Sequence, residues 1–284
     1  MRAGEAALIG AWQLTGLLGE GQWTRVFLAR PQGMPAGAPS DYAVKLQRPE
    51  RVDDRQAIAL FAHEAKVGRA ASHPNLVAIL AAQIDKPPRY LVMPRLEGAT
   101  ARTLVRRGPL TAPLALWIAR QTMQALTALH EQQWLHGDVK PENIFVARSG
   151  HVTLLDLGFS RKLGVRNDES LLAGTLRYMA PELFVGLDPI GRASDIYSLG
   201  VTLFELLTGA PPFTDKGDQE IALAHLRRPA PSPLKTAPHL GPRICHLLRE
   251  MLAKEPLRRP SSEELVERLL ALEIETFGER WPAA

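Results

Sequence analysis

The run His136-Gly137-Asp138-Val139-Lys140-Pro141-Glu142-Asn143 gathers a carboxylate, an ammonium and an amide between a helical pattern and an apolar strand pattern. Catalytic groups commonly sit in loops held by rigid neighbours, and an ordinary turn has little use for all three together. Further on, Asp156-Leu157-Gly158 follows the apolar Val152-Thr153-Leu154-Leu155 and sets a second carboxylate at a strand end. Asn143 and Asp156 are hard oxygen donors suited to Mg²⁺, which takes a few protein oxygens and completes its shell with phosphate and water.

Two segments nearer the N-terminus add to this chemistry. Leu18-Gly19-Glu20-Gly21-Gln22-Trp23-Thr24-Arg25-Val26 joins two strand patterns, and its glycines would let backbone N–H groups come close to phosphate oxygens. A plain hairpin turn uses close glycines too, so this segment alone leaves both readings open. A Walker-type loop is excluded, because no Gly-Lys-Ser/Thr follows and no helix opens there. Lys45 is a lone cation in the apolar Ala43-Val44-Lys45-Leu46, where burial without a partner would be costly. Glu64 on the following helix is the natural partner, and a solvent-facing lysine is the alternative.

The elements that must carry these groups are legible in the periodicity. Ala11 to Leu46 alternates apolar and polar residues with glycine punctuation, which predicts three antiparallel strands. Pro31 to Asp41, dense in proline and glycine, reads as a surface loop between the second and third. Ile58, Phe61, Ala65 and Gly68 recur at helical spacing behind Asp53-Asp54, which predicts a helix from Asp53 to Ala71. Strands follow over Leu76 to Ile84 and Arg89 to Met93. Beyond Pro94 helical periodicity dominates, over Pro113 to Gln132, Ser194 to Leu207, Pro242 to Ala253 and Ser261 to Glu273, with a hairpin at 144–146 and 152–155.

Composition bounds what such a chain can be. With 284 residues, 45% hydrophobic and 23% charged, it can build a packed core. Its 22 glycines and 23 prolines fall well below the roughly 25–30% that marks low-complexity disorder. The net charge of +4 is small and its arginine pairs are scattered, so nucleic acid is not expected as a partner. One cysteine, Cys245, gives neither an internal disulfide nor a thiolate metal site, which points to a cytoplasmic setting. No membrane span is expected: Arg120 interrupts the apolar run from Trp117 to Leu129, and Glu205 interrupts that from Ile196 to Leu207. Glu5 makes the N-terminus a poor signal peptide.

In order and over roughly Leu14 to Leu272, these motifs resemble the eukaryotic-like (Hanks-type) serine/threonine protein kinase family. The resemblance extends through Gly174-Thr175 and Tyr178-Met179-Ala180-Pro181-Glu182, Asp195 to Gly200, and Arg259 in Leu257-Arg258-Arg259-Pro260. The segment from Ala210 through the Pro/His/Arg-rich run 225–242 looks most like the bacterial branch. The fold implied is α+β and bilobal, a small antiparallel sheet lobe with one main helix and a larger, mostly helical lobe. One kinase domain would fill 1–284, with lobes 1–93 and 98–284, a hinge at 94–97 and an activation segment at 156–182.

The function implied is transfer of the γ-phosphate of ATP to Ser/Thr hydroxyls of protein substrates, with Mg²⁺ or Mn²⁺ as cofactor and with autophosphorylation. By the same resemblance Lys45 holds the α- and β-phosphates and pairs with Glu64, while Asn143 and Asp156 hold the metal. Asp138 orients the substrate hydroxyl and accepts its proton. Lys140 meets the γ-phosphate, and Thr175 bridges Asp138 and Lys140. Leu18, Gly19, Gly21, Val26, Ala43, Met93 and Phe145 would enclose the nucleotide, and backbone groups of Pro94 and Leu96 would meet the base edge. Glu182 and Arg259 would form a buried ion pair.

Three positions depart from the family pattern. Thr24 replaces the third glycine of the phosphate loop, Leu157 a phenylalanine, and Gly137 the arginine that usually precedes the catalytic aspartate. Loss of that arginine removes a phosphate-binding cation, although Ser160, Ser170 and Thr175 are still offered as acceptors and Arg161 could meet a phosphate near Ser170. Two other classes fit parts of the pattern. A pseudokinase scaffold would explain Thr24 and Gly137, and small-molecule phosphotransferases share the His-Gly-Asp. Lys140, Thr175 to Glu182 and Asp195 to Gly200 favour the protein kinase. Substrate identity and oligomeric state are not encoded in these motifs.

Overall fold

The computed structural model describes residues 7–35, 37–164, 176–185 and 191–278. The chain divides into two compact units, the first comprising Met1–His73, Val77–Glu97 and Asp156–Gly158 and the second the remainder.

In the first unit the period-two alternation folds as read. Strands β1 (Leu8–Ile9), β2 (Trp12–Glu20), β3 (Thr24–Pro31), β4 (Tyr42–Gln47), β5 (Ala81–Gln83) and β6 (Tyr90–Pro94) form one antiparallel sheet in the order β1-β2-β3-β4-β6-β5. Leu14, Phe27, Ala29, Val44, Tyr90 and Val92 bury one set of side chains as a single cluster. Helix α1 (Arg55–Ala70) starts at Asp54, whose carboxylate accepts the N–H groups of Gln56 and Ala57, as its acidic lead-in predicts. Phe61 and Ala65 of α1 pack against Leu91 of the sheet. Gly68 allows a close approach, since a Cβ there would lie 2.4 Å from Cγ1 of Ile79.

The strand expected over Leu76 to Ile84 is shorter, with only Ala81–Gln83 pairing along β6. Pro74 to Leu76 belongs instead to the second unit. There the Asn75 amide donates to Val152 O and Gln121 Oε1, and Leu76 makes a single parallel bridge to Leu154. Asn75 thus spends this stretch on side-chain hydrogen bonds rather than a ladder.

The second unit is mainly helical. It contains β7 (Gly98–Thr100), α2 (Ala101–Val105), α3 (Ala112–Glu131), β8 (Trp134–Leu135), β9 (Ile144–Ala147), β10 (Val152–Leu154), β11 (Arg161–Lys162), α4 (Pro181–Val185), α5 (Arg192–Thr208), α6 (Asp218–Arg227), α7 (Pro242–Met251) and α8 (Ser262–Gly278). Helix α5 is buried on nearly every side, and Gly209 at φ +85° ends it by donating to Glu205 O. Helix α3 packs on α5 and α8. β9 and β10 form the expected hairpin, with β7 as third strand, and β8 pairs with β11. Helix α6 carries only Ile221 and Ala224 into a small cluster with Phe213, too few apolar positions for its period to stand out in the sequence. Among the described residues no helix is long and apolar enough to cross a membrane.

Candidate active site

Three charged groups meet in the first unit. Lys45 on β4 reaches Glu64 of α1 at 2.7 Å and Asp156 Oδ1 at 3.1 Å. The Glu64 side chain is 3% exposed and that of Asp156 35%, so one carboxylate anchors the lysine from the interior while the other opens to solvent. Burial alone would lower the Lys45 pKa, but Asp156 and Glu64 outweigh it and hold the ammonium above its ordinary range. Burial pushes the Glu64 carboxyl up to about 7, against the pull of Lys45 and with the help of Asp156. Asp156 adopts φ +61°, a left-handed backbone that aspartate tolerates better than most residues. With both carboxylates ionised the trio carries a net negative charge, which a divalent cation would offset.

Around this trio the strands place the other expected residues of the unit. Val26 stands opposite Lys45, and Ala43 opposite Met93. Gly21 N–H donates to Thr24 O at 2.8 Å, which closes the loop between β2 and β3. Neither Gly19 nor Gly21 adopts a left-handed backbone, and a Cβ at Gly19 would meet nothing within 4 Å. These glycines are therefore not required by a turn. What they leave is open space at the loop, the room a phosphate would need. Leu18 is exposed, and Pro94 and Leu96 follow at the end of the unit.

The second cluster lies in the second unit. Asp138 is 5% exposed, and its Oδ2 accepts from Lys140 Nζ at 2.6 Å and from Asn143 Nδ2 at 2.9 Å. Asn143 Nδ2 also donates to Asp138 O at 2.8 Å, so both amide hydrogens are spent on Asp138 and Oδ1 is the atom left to offer a cation. His136 Nε2 donates to Leu155 O at 2.9 Å, and Leu155 N–H donates to Asn143 O at 2.8 Å. These bonds stitch the loop to the chain just before Asp156. Phe145 is half-buried on β9. An amide oxygen, like the Asp156 carboxylate of the first unit, is the kind of hard donor that Mg²⁺ takes alongside phosphate and water.

The loop backbone is held by Asp195 of α5, which accepts from the N–H groups of His136 and Gly137, each at 2.9 Å. Burial would raise the Asp195 pKa, but the hydrogen bonds it accepts, first from the His130 ring and also from the Gly137 N–H, outweigh it and hold the carboxyl low. Gly137 is at φ +77°, and a Cβ there would lie 2.6 Å from Phe159 O. The residue is thus required as glycine by its backbone and by a close neighbour, rather than being only an arginine lost. The same Cβ would lie 3.9 Å from Cγ of Arg161, whose side chain lies alongside. Ser160, expected as a phosphate acceptor, is 4% exposed, and its burial withdraws it from that role in this arrangement. Ser170 and Thr175 lie outside the described residues.

Arg259 and Glu182 make the expected pair, through two bonds of 2.6 and 2.8 Å, and the arginine also donates to Ala193 O and Ala253 O. Sequence reasoning missed a second arginine. Arg102 of α2 donates to Glu142 at 2.7 Å and Glu205 at 2.5 Å and also bonds the Tyr178 hydroxyl, which itself donates to Glu205 at 2.5 Å. It thereby ties the residue next to Asn143 to the segment ending in Glu182. The signal available was Glu205, a carboxylate inside an apolar helix pattern that had to find a cation.

The family model described as protein kinase domain matches residues 12–270. The chain is 31% identical over 262 residues to the serine/threonine-protein kinase PrkC of Bacillus subtilis, covering 91% of this chain and 40% of that protein. It is 32% identical over 265 residues to PknJ of Mycobacterium tuberculosis, covering 90% and 44%. To PknB of Mycolicibacterium smegmatis it is 32% identical over 257 residues, covering 87% and 40%. Both are likewise serine/threonine-protein kinases, and the chain spans less than half the length of these curated relatives.

Proposed function

From the premise that the chain belongs to the protein kinase family, we propose that it transfers the γ-phosphate of ATP to serine or threonine hydroxyls of protein substrates, itself included. The observation that carries this reading is the Lys45 ammonium held between Glu64 and Asp156 at 2.7 and 3.1 Å. A structural ion pair needs only one carboxylate. A second, half-open one beside it suits a polyanion that arrives with a cation.

Lys45 aligns the α- and β-phosphates, and Glu64 keeps Lys45 in place. Leu18, Gly19, Gly21, Val26, Ala43, Met93, Pro94 and Leu96 receive the nucleotide on the first unit. Asn143 Oδ1 and the Asp156 carboxylate would hold Mg²⁺, which would supply neutralisation of the phosphate oxygens. Asp138 orients the acceptor hydroxyl and takes its proton as the oxygen attacks the γ-phosphorus and the bond to the ADP oxygen breaks. Lys140, 2.6 Å from Asp138, offsets charge on the transferring phosphoryl group. Positioning and charge neutralisation supply most of the catalysis such a transfer needs. With ATP as the donor, the reaction would run in the cytoplasm.

The test is incubation with γ-labelled ATP, Mg²⁺ and a basic protein substrate, followed by phosphoamino-acid analysis. Label on serine and threonine is expected. Label on tyrosine alone, or on a small-molecule acceptor but no protein, would refute the reading.

A further inference from the structure

One buried polar chain runs from α8 to the 136–137 backbone without touching the reacting groups. His130 of α3 is fully buried, with Nε2 2.9 Å from Asp195 Oδ2 and Nδ1 3.1 Å from Ser262 Oγ. Asp195, 1% exposed, is the carboxylate that accepts from the N–H groups of His136 and Gly137. Ser262, 2% exposed, stands at the start of α8. The helix does not use its hydroxyl as a cap, because Ser261 Oγ already accepts the Glu264 N–H at 3.1 Å.

The donor and acceptor roles follow from the chemistry of the three groups. An ionised carboxylate only accepts, so Nε2 of His130 carries a hydrogen toward Asp195. In a neutral imidazole Nδ1 is then an acceptor, and a buried acceptor needs a donor. Among the described contacts of that ring, Ser262 supplies the only hydroxyl. We propose that Ser262 is a positioning residue for the catalytic loop: its hydroxyl donates to His130 Nδ1 and fixes the neutral Nε2–H tautomer. The ring is thereby aimed at Asp195, which holds the His136 and Gly137 amides. Without the hydroxyl the ring has no partner on one side and is free to turn. Asp195 then loses its fixed donor, and the backbone that carries Asp138 loosens.

The inference rests on the assignment of Asp138 above only for its kinetic arm, so the experiment has two arms that need no activity. In the ¹⁵N-labelled protein the His130 ring is expected to show a protonated Nε2 and an unprotonated, hydrogen-bonded Nδ1. In Ser262→Ala, hydrogen–deuterium exchange at the His136 and Gly137 amides is expected to quicken by roughly 10-fold or more, with the amides of Leu247 and Leu248 in α7 unchanged. Turnover is expected to fall by roughly 10-fold while KM for ATP moves by less than about 2-fold. Ser262→Thr, which keeps a hydroxyl, is expected to restore exchange and turnover. An imidazolium or an Nδ1–H tautomer in the wild-type protein would overturn the proposal, and that measurement needs no variant to fold. Unchanged exchange at the two amides, or Ala and Thr variants that behave alike, would overturn it too. A wild-type protein without phosphotransfer would defeat the functional reading and leave the tautomer and exchange arms to decide this one.

Discussion

Lys45 Nζ meets Glu64 Oε2 at 2.7 Å, and the carboxylate it meets is almost wholly buried. Burial, aided by the negative charge of Asp156, lifts Glu64 to about 7, so the ion pair completes itself only as the pH rises through that value. A cation bound at Asp156 removes one of the two causes. The Glu64 carboxyl, followed by ¹³C NMR, is therefore expected to titrate near pH 7 in the free protein and at lower pH with Mg²⁺ and nucleotide present. Titration in the ordinary carboxylate range of about 4 without ligand would show that Glu64 is not held as described.

Gly137 offers a sharper steric test. Its φ of +77° costs an L-residue about 1–2 kcal/mol, and a Cβ must also displace Phe159 O, 2.6 Å away. Gly137→Ala is expected to lower stability in urea by at least that amount and to reduce turnover. Gly137→Arg should do both and should not create an enzyme that phosphorylation switches on. Wild-type stability and turnover in the alanine variant would contradict the close approach.

His225 predicts acid sensitivity in the second unit. Its ring is buried, facing the Tyr197 hydroxyl at 2.9 Å and Arg177 O at 3.0 Å, and burial with help from Lys254 and Arg228 lowers its pKa to about 4. A histidine whose folded pKa lies below its unfolded 6.5 contributes stability above pH 6.5 that is lost as pH falls through 4. The loss is on the order of 3 kcal/mol. Unfolding free energy measured from pH 7 to 4 is expected to fall more steeply in the wild-type protein than in His225→Gln. Parallel curves would count against it.

Much of this architecture was legible because the sheet and the long helices follow single periods, and α1 announced its start with Asp54. Lys45 and Glu64 were legible for a different reason: a charge inside an apolar pattern must find a partner. The same logic applies to Arg120 and Glu205, noted in the sequence only as interruptions of apolar runs. Arg120 pairs with Glu273 at 2.8 Å and Glu205 with Arg102. What could not be read was which partner each would take, because Arg102 and Glu273 lie far along the chain and only tertiary packing brings them in. Gly137 read as an absent arginine, since the sequence shows neither its left-handed backbone nor the carbonyl of Phe159. Helix α6 and the short α2 and α4 were missed because so few of their residues face a core.

The central claim is that Asp138, held by Lys140 at 2.6 Å and Asn143 at 2.9 Å, orients the acceptor hydroxyl and receives its proton. Exchanging this carboxylate for an amide keeps the size of the side chain and removes the charge that accepts the proton. The most direct measurement is single-turnover phosphotransfer by Asp138→Asn beside the wild-type protein, with thermal unfolding of both. The rate is expected to fall by roughly 10²-fold or more while both proteins unfold cooperatively and bind ATP with similar affinity. A folded Asp138→Asn protein that transfers phosphate at near the wild-type rate would contradict the account.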